Sequence, residues 1–400
     1  MKPLVLLQTS DWHVGSVLGG GALGLPADLR EARREEIDGA PERAVAAAKE
    51  ADADALLVPG DLWDAESVPP SSIHRLIEAL ASFAPRPVFI APGNHDFAGA
   101  GGYYDPEVLR ALGMRSWPEN VTVFRGPEFA AAAFPGREDV AVVGRAFLSS
   151  AALEERPLAR TPQRPPVETT ILLLHGSHES YRGADAPTGA KKTAPFSTDE
   201  LLRCGFTWSA LGHHHHLDVV EGASGVPRAA YSGAPTGRGL DECGPRVFLK
   251  VTIDDGGARV ETVPADTRVV RDLTLDVTGL EGADIASRAF ALLDEKDASA
   301  RDLVRLTLTG SRSHGARPAA ALGPVSGRVA HLAVRDKTVV AAGLEALDHR
   351  TAEGRFVQDL LARRAAASDA YARRVADLAL ALGRDALAGR PLAATDPEDA

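Results

Sequence analysis

Two cysteines in 400 residues, Cys204 and Cys243, are too few and too far apart for a disulfide framework or a cysteine-rich zinc site. That scarcity fits a reducing compartment, so a cytoplasmic location is expected. Long apolar runs are also missing. No stretch approaches the roughly 20 residues that span a bilayer, and the opening run Pro3–Leu7 is too short for a secretory leader. Neither a membrane partner nor a cleaved leader is expected. Nor is there an excess of positive charge: 44 Lys and Arg against 55 Asp and Glu leave a net charge of −11. No global basic field draws the chain to nucleic acid, so a polyanionic substrate has to be held by a local patch or by metal ions. No internal repeat is found. What remains is an ordinary globular composition, 44% hydrophobic and 25% charged. At about 150 residues per domain, its length allows two to three domains.

Short apolar runs alternate with helical patterns through the first half, which argues for an α/β fold. Strands are expected at Leu4–Leu7, Leu56–Val58, Pro87–Ile90, Val121–Phe124, Val140–Val143, Ile171–Leu174, and in the run before His213. Further strands are expected at Arg228–Tyr231, Val247–Ile253 and Val260–Val263. A glycine-rich loop (Gly15, Gly19 to Gly21, Gly24) precedes one long helix, Pro26 to Ala51, and a second helix covers Ser71 to Phe83. Ser197 with Glu200 three residues on is a capping-box pattern. Near Ala265 the pattern changes to a small α+β unit, with strands at Thr274–Val277 and Leu303–Leu308 around a helix at Ile285–Leu293. Gly315 to Gly327 reads as a linker, Glu353 to Leu387 as a helical region, and Pro391 to Ala400 as a frayed polar tail. The expected division is 1–265, 266–317 and 318–400.

The chemistry gathers at strand ends. Ala210-Leu211-Gly212-His213-His214-His215-His216 closes an apolar run with alternating histidines. In extended backbone residues i and i+2 point the same way, so His213 and His215 face one centre while His214 and His216 turn away. The bland alternatives are an exposed polar loop or an engineered tag. Four more strand ends carry residues of the same kind: Asp11 with His13, Asp61 after Gly60, Asn94 with His95, and His175. Each alone has an ordinary explanation, as a solvated loop, a turn or a satisfied buried histidine. All five in one order point to one site at the carboxyl edge of a sheet, where open α/β folds bind ligands. Carboxylate, amide and imidazole donors suit a divalent ion such as Mn²⁺ rather than a thiolate zinc. Seven such groups are too many for one tetrahedral ion and fit two ions about 3.5–4 Å apart.

This order of motifs, D-x-H, G-D, G-N-H-D, H and G-H-x-H, resembles the calcineurin-like metallophosphoesterases over roughly the first 265 residues. The resemblance implies a two-sheet α/β/β/α sandwich, a small α+β capping domain and a helical C-terminal region. It implies that Asp11, His13, Asp61 and His215 hold one ion. Asp61, Asn94, His175 and His213 would hold the other, with Asp61 bridging. His95 would stand over the phosphate as the catalytic acid. Asp96 would orient His95 or cap a helix. Ser10–Gly15, Gly60–Asp64, His175–Ser177 and Tyr231–Pro235 with Gly239 and Glu242 are further similar to SbcD-type DNA repair exonucleases. That branch implies a DNA substrate, an SbcC-type coiled-coil ATPase partner docked on the arginine-bearing tail, and a homodimer. Some of its nucleases carry a histidine three residues after the bridging Asp. Here the residue is Asp64, unsuited to a phosphate contact and read as a surface carboxylate. Phosphate contacts are expected from Arg182, Lys191-Lys192 and the arginines of the small unit (Arg268, Arg271, Arg288, Arg301, Arg305, Arg312). Two other functions stay open: a phosphatase or small-molecule phosphodiesterase on the same site, and a scaffold subunit of an ATPase complex.

Overall fold

The computed structural model describes residues 2–387 and 389, apart from 17, 19–22, 152–154, 184–191, 314–315, 341–347 and 349. Gly19 to Gly21, Lys191 and the tail from Pro391 lie outside the described residues. The chain divides into two compact units, Met1–Val270 and Arg271–Ala400.

In the first unit β1 (Leu4–Gln8) leads to helices α1 (Ala27–Asp38) and α2 (Ala40–Glu50). Then come β2 (Ala55–Val58), α3 (Pro70–Ala81), β3 (Val88–Ile90), α4 (Pro106–Ala111) and β4 (Val121–Val123). β5 (Ala130–Phe134), β6 (Arg137–Gly144) and β7 (Thr169–His175) begin a second sheet, continued after α5 (Thr198–Arg203) by β8 (Trp208–Gly212), β9 (Asp218–Glu221) and β10 (Pro227–Tyr231). β11 (Val247–Asp254) and β12 (Gly257–Pro264) return to the first sheet. The strand orders are β12-β11-β1-β2-β3-β4 and β5-β6-β7-β8-β10-β9. β1 to β4 run parallel, as do β6, β7, β8 and β10.

The two-residue period of a strand sorts its side chains into layers. Leu4, Leu6, Leu57 and Phe89 turn between the sheets and meet Ile171, Leu173 and Trp208 of the other sheet. Leu7, Leu56, Val58 and Ile90 turn the other way, onto Ala44, Ala48, Ile73 and Leu76 of α2 and α3. Leu172, Leu174 and Leu211 pack against Phe196 and Leu201 at α5. The result is a helix layer, two sheets and a helix layer, the expected α/β sandwich.

The long helix expected over Pro26–Ala51 is two helices that meet at Gly39. Pro41 cannot donate a backbone hydrogen bond, and its ring would strike the carbonyl four residues earlier, so α1 ends and α2 starts. Ser197 and Glu200 form the expected capping box. In the second unit, strands Val270–Asp276, Leu303–Thr309 and His331–Asp336 form a sheet that packs on the helix Ala283–Glu295. The stretch read as a linker is a 3-10 helix, Pro318–Arg328, whose Leu322 and Val325 are buried in that core. The helical region is two helices, Ala352–Ala366 and Ala370–Leu387. Asp369 caps the second by accepting from Ala372 N at 2.7 Å.

Candidate metal centre

Asp11 and His13 follow β1, Asp61 follows β2, Asn94 and His95 follow β3, His175 ends β7, and His213 and His215 follow β8. Parallel strands end on one side of each sheet, and the carboxyl ends of the two sheets bring these residues together. The chain reaches this meeting point through costly backbone. Asp11, His13, Asp61 and His213 all have positive φ, at 55°, 49°, 54° and 110°. Non-glycine residues seldom adopt this region, and each instance costs on the order of 1–3 kcal/mol that the surrounding fold must offset. Gly60, at φ 89°, cannot be replaced without strain: a Cβ there would sit 2.5 Å from His175 Nδ1. Gly212 lies so close to the Pro59 carbonyl that only a hydrogen fits.

Two triads emerge from these strand ends. Asp11, His13 and His215 bring their donor atoms within 4.8 Å of one another, and so do Asp61, His175 and His213. Asp61 Oδ2 lies 3.4 Å from His175 Nε2 and 3.8 Å from His13 Nε2, so one carboxylate oxygen reaches both triads. Asn94 Oδ1 joins the second at 3.1 Å from His175 Nε2. His13 Nε2 and His215 Nε2 stand 3.3 Å apart, two lone-pair nitrogens converging on one point. This donor set fits two hard-to-borderline divalent cations. His214 is turned away and stacks on Tyr181 at 3.7 Å between ring centroids, while His216 Nε2 meets Asp241 O at 2.8 Å.

Acceptors behind the histidines fix which nitrogen is free. His13 Nδ1 donates to Asp64 at 2.6 Å, His215 Nδ1 to Glu242 at 2.8 Å, and His175 Nδ1 to Pro59 O at 3.0 Å. With a proton held at Nδ1, Nε2 is the nitrogen left to face a metal. Asp64 is more than a surface carboxylate. It is half-buried, and its Oδ1 also lies 3.1 Å from His95 Nδ1. One carboxylate therefore orients a candidate ligand and the candidate acid together. No sequence spacing announces that role, because its partners lie 51 and 31 residues away. Asp96 neither orients His95 nor caps a helix. Fully buried, it accepts from Asp61 N at 2.9 Å, Gly93 N at 2.6 Å and Tyr104 Oη at 2.7 Å, and so holds the strained turn that carries Asp61.

Burial and mutual charge tune the groups. Burial pushes the carboxyls of Asp11 and Asp96 up to about 6. Asp61 is equally buried, but the charge and hydrogen bond of His175 outweigh burial and hold it well below the usual range. Burial pushes His175 down, yet Asp61 wins and raises it to about 9. Burial and then the Arg238 charge lower His13 to about 4, and burial and then His175 hold His213 well below its ordinary value. His13 and His213 are thus neutral, as metal ligands must be. His95 moves up, chiefly through its hydrogen bond to Asp64. It lines a cleft of about 530 Å³ with Asn94, Asp64, Ser16, Glu66 and Phe97.

Six of the seven arginines expected to grip phosphate have partners within the protein. Arg268 pairs with Glu36, Arg271 with Asp302, Arg288 with Glu295 and Arg305 with Asp272. Arg312 donates to Ala316 O, and Arg182 to the carbonyls of Glu179 and Tyr181. Among the described residues no helix is long and apolar enough to cross a membrane.

The chain is 26% identical over 287 residues to an uncharacterised metallophosphoesterase, YhaO, of Bacillus subtilis, matching 70% of this chain and 64% of that protein. It is also 26% identical over 296 residues to the D component of the nuclease SbcCD of Rhodobacter capsulatus, matching 65% of this chain and 68% of that one. The chain thus spans about two thirds of the length of each relative. Among solved structures, a dimetal phosphatase from Danio rerio aligns with a TM-score of 0.37 at 12% identity, over 66% of this chain and 99% of that one. A Thermus thermophilus protein aligns at 0.36 and 15%, with the same coverage. The calcineurin-like phosphoesterase family model matches residues 4–217, more than half of the sequence and every strand end that carries a candidate ligand, and the chain belongs to that family.

Proposed function

We propose that this chain is a two-cation phosphodiesterase that cleaves DNA, with Asp11, His13, Asp61 and His215 holding one cation and Asp61, Asn94, His175 and His213 the other. The observation that carries the reading is the reach of Asp61 Oδ2 to both triads, at 3.4 Å and 3.8 Å. Mn²⁺ is the proposed metal, since the donors are mixed oxygen and imidazole with no thiolate. Bound cations supply Lewis acidity and an activated water for in-line displacement at phosphorus. The protein's own part is positional. Asp64 holds His95 by Nδ1, which leaves Nε2 to pass a proton to the departing sugar oxygen. Asp96 and Tyr104 keep Asp61 in place while charge builds up beside it.

DNA as substrate, and an SbcC-type ATPase as partner, are supported by the similarity to the D component of SbcCD. The ion pairs of the second-unit arginines favour a second reading, in which phosphomonoesters or small phosphodiesters are turned over. The test is a titration of Mn²⁺ into chelated protein, with end-labelled DNA, a chromogenic phosphomonoester and a chromogenic diester as substrates, with and without the ATPase. DNA cleavage abolished by His95→Asn is the expected result. Turnover of the small esters with intact DNA under every condition would establish the second reading.

A further inference from the structure

Arg238 stands beside the metal centre without a ligand's role. It belongs to the loop after β10, and Glu242 holds it tightly: Arg238 Nη2 reaches Glu242 Oε1 at 2.6 Å, Nε reaches the same oxygen at 3.1 Å, and the Arg238 amide reaches Oε2 at 2.7 Å. The loop is fixed from behind as well. Arg33, buried and paired with Asp266 at 2.6 Å, donates to the preceding carbonyl of Gly237 from Nε at 3.0 Å and from Nη2 at 2.5 Å. Gly237 N donates to Asp266 at 2.9 Å. This bonding fixes the loop that carries the Arg238 guanidinium.

A guanidinium has five N–H donors. Glu242 engages Nε and Nη2, and Nη2 also lies 3.1 Å from His215 Nδ1. That contact is not a hydrogen bond, because His215 Nδ1 donates its own proton to Glu242. Nη1 is different. Among the described residues its one contact is Ser16 Oγ at 3.5 Å, too long to satisfy two donors. Glu242's side chain is 1% exposed and Arg238's is 19%, so part of Arg238 reaches solvent while its carboxylate partner does not. Ser16 lines the cleft that holds His95 and Asp64.

We infer that Arg238 anchors the substrate's phosphate: its Nη1 edge donates to a non-bridging phosphate oxygen at the His13–His215 side of the centre. Glu242 then has two tasks, to aim His215 and to aim Arg238. The inference rests on the phosphoesterase reading, and it names a residue that touches substrate. A purely structural Arg238 would only balance the charge of Glu242.

The two roles separate in binding. Inorganic phosphate is titrated calorimetrically into Mn²⁺-loaded wild type, Arg238→Gln and Arg238→Lys, with bound manganese counted by elemental analysis. Charge-assisted hydrogen bonds support a loss of roughly ten- to a hundredfold in phosphate affinity for R238Q at unchanged manganese content. KM for a chromogenic ester should rise in step. R238K keeps a charge near Glu242 but lacks the Nη1 donors, so it should also lose affinity, and it carries the test alone if R238Q does not fold. Phosphate affinity equal to wild type in the folded variants, or a loss fully accounted for by lost manganese, would overturn the inference. A wild type that takes up manganese but neither binds phosphate nor hydrolyses any ester would instead bring down the phosphoesterase reading itself.

Discussion

Asp64 carries two histidines on one carboxylate, and its removal should be felt at both. An Asn at this position keeps the shape but not the charge. The imidazole of His13 then loses the acceptor that fixes its free nitrogen, and His95 loses its anion. Such partners of metal-site histidines are worth roughly ten- to a hundredfold in metal affinity or activity. Asp64→Asn should therefore lower kcat by that order. It should also change the pH profile in a defined direction. His95 is raised above its ordinary value by Asp64, so it stays protonated, and able to donate, further into the alkaline range. Without the anion its pKa falls, and the alkaline limb of the kcat profile should move to lower pH. Rates measured from pH 6 to 10 decide this. An unchanged limb with reduced kcat would mean that Asp64 serves His13 alone.

The elements show why some features were legible in the sequence and others were not. The layers followed from the two-residue period: Leu4, Leu6 and Leu57 alternate with Leu7, Leu56 and Val58, and the two sets face different cores. His213 and His215 do face the site while His214 and His216 turn away, but the run lies beyond β8 and His213 has a φ of 110°, so the turn, not the strand period, arranges it. β5 carries no strand signal, because Ala130–Ala133 is four alanines, poor strand formers with no hydrophobic alternation. It forms because β6 offers it an edge to pair with. The break in the first long helix had its signal in Gly39 and Pro41, and the cap of the last helix in Asp369, but a strong helical pattern on both sides concealed them. Asp64, Asp96 and Glu242 had no periodic signal at all, because their partners are set by the meeting of loops. Those loops depend on Gly60, where the turn after β2 passes against His175. Gly60→Ala combines a left-handed φ with a Cβ placed 2.5 Å from the ring. A loss of about 2–4 kcal/mol is expected, from strain and a displaced His175 together. Denaturant melts of the variant, with and without Mn²⁺, would show it. A loss below about 1 kcal/mol would mean that the turn relaxes freely.

At the scale of the molecule, the two units have separate cores. Leu275, Ile285, Leu293, Leu306 and Val325 pack in the second unit and share no residue with the cores of the first. Separate cores predict separate cooperative transitions on heating. All seven candidate ligands lie within Met1–Val270, so a bound cation should stabilise one transition and leave the other in place. Free ligand at a thousand times its Kd contributes about 4 kcal/mol. The effect should depend on pH, with a sign that His175 fixes. Its pKa is raised to about 9, so below that it carries a proton that a cation must displace. Manganese affinity should therefore rise as pH climbs from 6 towards 9, and uptake at pH 7 should release protons. The folding term runs the opposite way. The proton's own stabilisation, complete below the ordinary value of 6.5, is lost as pH passes through about 9, so the metal-linked shift widens as the unliganded protein weakens. Scanning calorimetry with chelator and with Mn²⁺ at pH 6.5 and 8.5 tests both statements. If both transitions moved together, or neither moved at either pH, the cations would not be held where the strand ends of the first unit converge.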